Sequence, residues 1–160
     1  KMTIRIDESR RTGTTTQEFD HHKRQVRLVD DIDDRKKGKI QRDQQKEIPP
    51  GTFDVVTALF ALRRQEWAPG KEMEAAVQIG GEATRMRVKV DGEEELPTKI
   101  GKVPAWVLKA SILKNGAYQE VPDSFLWVGK EGAKPILKVK AKVKIGSVIL
   151  YLKSFTPASS

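Results

Sequence analysis

The sequence contains no cysteine and only two histidines among its 160 residues. The first absence removes thiolate nucleophiles, disulfides, iron-sulfur ligation and cysteine-based zinc sites together. The second leaves His21 and His22 as the sole imidazoles. Adjacent side chains near a strand end point to opposite faces, so the pair reads as solvated turn residues rather than as ligands of one metal. Long apolar runs are missing too. No stretch approaches the ~20 residues that cross a bilayer as a helix, and Lys1-Met2-Thr3-Ile4-Arg5 carries no signal-peptide core. A lysine ahead of Met2 predicts a chain cut from the C-terminal part of a longer protein, so the missing export signal decides nothing. Catalytic signatures are absent as well: there is no GxSxG elbow, HExxH helix, Walker A loop or GxGxxG turn. No enzyme activity, cofactor or metal is predicted.

What the chain does hold is an ordinary globular balance, 38% hydrophobic and 32% charged, at a length that fits one domain spanning residues 1–160. Its net charge of +8 favours anionic partners: nucleic acid, phospholipid headgroups or acidic polysaccharide.

Thr14 to Asp20 and Gln25 to Val29 read as a hairpin about a polar turn, His21 to Arg24. Residues 30–46 are charge-dense, with Asp30, Asp31, Asp33 and Asp34 followed by Arg35, Lys36, Lys37 and Lys39, and are expected to form a mobile charged loop, with a short strand around Ile40 as the alternative. The aspartates are balanced by the neighbouring Arg35, Lys36 and Lys37 in the simplest reading; the glycine and closing glutamate of an EF-hand are not in place. After Pro49-Pro50-Gly51, Thr52 is expected to cap a helix over about Phe53 to Trp67. Val55, Val56, Ala58, Leu59, Phe60, Ala61 and Leu62 are apolar nearly all round that helix, which predicts burial.

From Glu72 onward the period is two, with strands predicted at 72–79, 84–90, 95–99, 105–113, 124–128, 136–145 and 148–155. Gly80-Gly81, Asp91-Gly92, Asn115-Gly116, Gly129 with Gly132, and Gly146 separate them as turns. Such short links force antiparallel pairing. The fold class is therefore mainly β, an antiparallel meander or barrel-like sheet with one buried α-helix.

Gly51-Thr52-Phe53-Asp54-Val55-Val56-Thr57-Ala58-Leu59-Phe60-Ala61-Leu62-Arg63 resembles a phrase of the bacterial exported-protein family called domain of unknown function 3108. Glu18-Phe19-Asp20-His21, Ile100-Gly101-Lys102-Val103-Pro104-Ala105, Phe125-Leu126-Trp127-Val128, Pro135-Ile136 and Lys144-Ile145-Gly146-Ser147-Val148 follow in that family's order. The resemblance covers about residues 14–155 and implies an exported, periplasmic, barrel-like protein. It implies no reaction and no ligand residues. The family's further N-terminal strands are missing here, so unpaired strand edges are expected to pair with another chain or with a missing N-terminal segment. Gly129-Lys130-Glu131-Gly132 lacks the aspartate that the family has after its tryptophan strand.

Two basic rows stand out. Period two places Lys138, Lys140, Lys142 and Lys144 on one strand face, opposite Val139, Ala141, Val143 and Ile145. Arg85, Arg87 and Lys89 repeat the pattern more weakly, and two neighbouring strands of this kind would form a cationic wall. The plainer reading is a solvated face, or an edge guarded by lysine. Glu93-Glu94-Glu95 reads as a solvated hairpin tip rather than a carboxylate pair for acid-base work. Trp106, Trp127, Phe125, Phe19, Phe53 and Phe60 either fill the core or line a pocket. The expected function is a non-catalytic periplasmic or envelope-associated domain that binds an anionic lipid, a polysaccharide, another amphiphilic envelope component or a partner protein. The alternatives are a nucleic-acid-binding β-barrel, disfavoured because aromatics do not interleave with the basic residues, and an enzyme of unrecognised type.

Overall fold

The computed structural model describes residues 1–79, 81–99, 101–142 and 147–154. The expected fold class is met: a mainly antiparallel β protein with a single helix among the described residues, its larger sheet curled as a half-barrel. The chain divides into two compact units, residues 1–54 with 76–83, and residues 55–75 with 84–160.

The first unit is built on a meander of β1 (Met2–Asp7), β2 (Arg11–Asp20), β3 (Gln25–Asp34) and β4 (Gly38–Glu47). The hairpin about the His21–His22 turn is present, but residues 30–46 are not a loop: they form the end of β3, a tight turn and β4. Low hydrophobicity suggested a loop, yet the charges are arranged in register across the hairpin. Asp30 faces Arg42, with 3.6 Å between charged atoms, and Arg27 holds Asp43 through two hydrogen bonds of 2.9 and 2.6 Å. Opposite charges across strands stabilise the pairing. Asp34 is fully buried and accepts from the Lys36 and Lys37 backbone amides and from Arg10 and Arg11. Asp34 is therefore held by the Lys36 and Lys37 amides and by the Arg10 and Arg11 side chains, where the side chains of Arg35, Lys36 and Lys37 were expected. Gly13 lets β2 approach β3: a Cβ there would stand 2.1 Å from the Asp31 carbonyl oxygen. Val26, Leu28 and Ile48 form this unit's core, with Phe19 and Ala83 packed on it.

A two-residue strand β5 (Phe53–Asp54) pairs in parallel with Val77 and Gln78 of β6 (Glu72–Ile79). The helix α1 is consequently shorter than expected, Val55–Arg63, and Thr52 does not cap it: its hydroxyl donates back to the Pro49 carbonyl at 2.7 Å. Three-residue closures from Arg64 to Ala61 and from Gln65 to Leu62 tighten the last turn, and the buried Trp67 indole donates a second hydrogen bond to the Leu62 carbonyl at 2.9 Å.

In the second unit, β7 (Glu82–Thr98) from residue 84 onward, β8 (Gly101–Lys114), β9 (Ala117–Gly129), β10 (Ile136–Lys142) and β11 (Ser147–Tyr151) follow one another as antiparallel neighbours. The two strands expected on either side of Asp91-Gly92 are one long strand. Those residues make a bulge, with the register shifting between Val90 and Gly92, so Glu93 to Glu95 pair with β8 instead of forming a hairpin tip. Asn115-Gly116 is a tight turn with φ of 51° and 80°, the left-handed geometry that a two-residue hairpin loop requires. One face of this sheet packs Val88, Leu108, Leu126 and Val128 against Leu62 and Trp67; the other packs Leu96, Ala105, Trp127 and Leu137. β11 ends the sheet, and Val148, Ile149, Leu150 and Tyr151 are exposed there. No helix among the described residues is long and apolar enough to cross a membrane.

Candidate functional site

The helix lies on the first of those faces, and the contact is one-sided. Ala58 and Leu62 are buried, whereas Val55, Val56 and Phe60 are 40%, 49% and 53% exposed. Burial all round, as the apolar sequence suggested, is not what a nine-residue helix laid on one sheet face can reach. Along its inner stripe Val55, Leu59 and Leu62 stand at positions i, i+4 and i+7, one face of the 3.6-residue period.

This stripe does not close completely on the sheet. Between it and Met86, Val88, Leu108, Ala110, Leu126 and Val139 lies a cleft of about 170 Å³. Phe125, Ala141, Ser124 and Lys140 also border it. The Ser124 hydroxyl is engaged, donating to the Pro122 carbonyl at 3.1 Å and accepting from the Lys142 amide at 3.0 Å. Lys140 faces Asp123 at 3.9 Å, and Lys142 is exposed. The cleft thus offers an apolar interior along β10, and strand alternation puts the charged ends of Lys140 and Lys142 on the face opposite the cleft-lining Val139 and Ala141.

The rest of the lysine row is differently engaged. Lys138 lies over the Trp127 ring at 4.2 Å and the Tyr151 ring at 5.5 Å, while Lys144 falls outside the described residues. Cross-strand register puts Lys140, Phe125, Lys109 and Lys89 side by side on one face, but β8 and β9 separate the two basic rows. At ~4.8 Å per strand the rows stand ~14 Å apart, so they do not merge into the neighbouring-strand wall considered from sequence. The second row is also paired with acids: Arg85 with Glu74 at 2.8 Å, Arg87 with Glu74 at 3.4 Å and Glu72 at 3.7 Å, and Lys89 with Glu120 at 3.6 Å. Arg87 further lies 3.9 Å from the Tyr118 ring centre. A hydrogen bond from Tyr118, then one from Arg85, holds the Glu74 carboxyl below its ordinary range, while burial raises the Tyr118 phenol. Lys109 does the same to Glu120.

Of the aromatics singled out from sequence, only Phe125 borders the cleft. Trp127 is buried in the opposite face, its indole donating to Glu94 at 2.7 Å; Trp106 lies under Lys130, Phe19 packs in the first unit, and Phe60 is exposed. Among the described residues no group of three or more histidine or acidic side chains is placed to hold a metal.

Sequence reasoning missed the cleft because its lining is drawn from α1 and four strands. Its one local signal is the Val55, Leu59, Leu62 stripe. Comparison with curated proteins and with solved structures gives no match. The family described as protein of unknown function (DUF3108) matches residues 2–153, nearly the whole chain, and the chain belongs to that family.

Proposed function

We propose that the chain is a non-catalytic, envelope-associated binding domain whose ligand is an anionic amphiphile, with its apolar part seated between α1 and the sheet. The supporting observation is the cleft's lining, in which only Ser124 and Lys140 carry polar side-chain groups and Ser124 is already hydrogen-bonded. At about 170 Å³ the cleft compares with the ~150 Å³ engineered cavity that admits benzene, and is smaller than the ~300 Å³ or more that encloses a drug-sized ligand. It suits a ring or a short alkyl segment. Four or five buried methylenes at ~0.8 kcal/mol each give ~3–4 kcal/mol, which alone corresponds to a dissociation constant near or above ~1 mM. A useful affinity therefore needs a headgroup contact outside the cleft, and the net charge of +8 favours an anionic one. The envelope setting rests on the implied export of the family and on the net charge of +8.

Nucleic-acid binding is less favoured. It calls for accessible aromatic platforms among the basic residues, whereas Trp127 is buried under Lys138 and Trp106 lies under Lys130.

The test is calorimetric titration with sodium decanoate and with decyltrimethylammonium, each kept monomeric. Decanoate should bind with a dissociation constant of roughly 0.1–1 mM, the cationic amphiphile more weakly, and Ala141→Phe, which fills the cleft, should abolish binding. Undiminished binding by Ala141→Phe would remove the cleft from the account; equal affinity for both headgroups would remove the preference for an anionic ligand.

A further inference from the structure

The side of α1 turned away from the cleft carries a second apolar feature. Val56 and Phe60, four residues apart, are half exposed on one stripe, and the helix contains no acidic residue. One turn beyond Phe60 come Arg63 and Arg64, which border a surface hollow of about 450 Å³ together with Phe60, Gly132, Ala133 and Lys134. Arg63 donates to the Ala133 carbonyl at 2.8 Å and its guanidinium lies 6.0 Å from the Phe60 ring centre. Glu66 is paired with Lys134, and Glu131 is exposed nearby in sequence. Arg64 is exposed.

We propose that this outer face of α1 docks the protein on an anionic lipid surface, Phe60 and Val56 entering the headgroup boundary and Arg63 and Arg64 meeting the headgroups. Nine residues at ~1.5 Å each and a helix diameter of ~10 Å give a strip of only ~140 Å², far less than the ~800 Å² per partner of a stable protein interface. A lipid surface needs no such area, because partial insertion of apolar side chains and attraction of basic ones add together. The excess of 30 lysines and arginines over 22 acidic residues acts in the same direction. The inference is independent of the cleft reading, which uses the opposite stripe of the helix.

Co-sedimentation with phosphatidylglycerol–phosphatidylcholine vesicles tests it, against pure phosphatidylcholine vesicles and against high salt. The protein should sediment with the anionic vesicles only, and less so as salt rises. Phe60→Ser and Arg64→Glu, both at exposed positions and both checked for unchanged unfolding, should each weaken vesicle binding by about tenfold. Ala141→Phe should leave it intact, which separates docking from cleft occupancy. Equal binding to neutral vesicles, undiminished binding by Phe60→Ser and Arg64→Glu, or loss of binding only on replacing Lys138, Lys140 and Lys142 by glutamine would each overturn the proposal.

Discussion

The backbone amide of Lys142 donates to the hydroxyl of Ser124 at 3.0 Å, tying the end of β10 to β9 at the border of the cleft. Ser124 is 92% buried by this arrangement and also donates to the Pro122 carbonyl. Its role is to satisfy backbone groups. Ser124→Ala leaves the Lys142 amide without that partner and should cost about 1 kcal/mol in urea unfolding. Affinity for decanoate should stay within about twofold of the parent, and a larger loss would give the hydroxyl a direct part in binding.

The one-sided helix makes a contrast within a single element. Leu62→Ala, at a 97% buried position, should cost about 2–5 kcal/mol by losing contacts and leaving a hole. Phe60→Ala should cost about 1 kcal/mol or less, since over half of that side chain is already in water. Denaturant midpoints of the two variants at unchanged slope decide the point; equal losses would place Phe60 in the core.

Asp34 sets the acid sensitivity of the β3–β4 turn. The Lys36 amide first, and then the Arg11 side chain and the Lys37 amide, hold its carboxyl far below the ordinary carboxylate range. A group whose folded pKa is depressed contributes stability that is complete above its unfolded value, about 3.9, and disappears as the pH falls through the folded value. Asp34→Asn should therefore lower the unfolding temperature by several degrees at pH 7. The gap from the parent should narrow steadily below about pH 4. A gap independent of pH would mean that packing, rather than charge, is what the substitution disturbs.

Much of this architecture is legible in the sequence because period and punctuation agree. Glu72–Ile79 is predicted to the residue, and Asn115-Gly116 marks a real two-residue turn. Misreadings arise where one local signal serves two structures. Asp91-Gly92 has turn chemistry but occupies a bulge, and the charged run after Asp30 has loop composition but pairs across strands once the register brings Arg42 opposite Asp30. Apolar residues all round the helix predict burial on every side, because composition carries no information about how many faces the sheet can cover. The basic rows were visible as rows; the acids that neutralise Arg85, Arg87 and Lys89 come from β6 and β9, and no local spacing reveals them.

The most direct test of amphiphile binding is to observe where an alkyl chain sits. Methyl-resolved NMR during titration with decanoate should shift the methyl signals of Leu59, Leu62, Leu108, Leu126 and Val139, which line the cleft, and leave those of Leu96 and Leu137 on the opposite sheet face unmoved. Shifts confined to Leu96 and Leu137, or spread evenly over both faces, would contradict binding in the cleft.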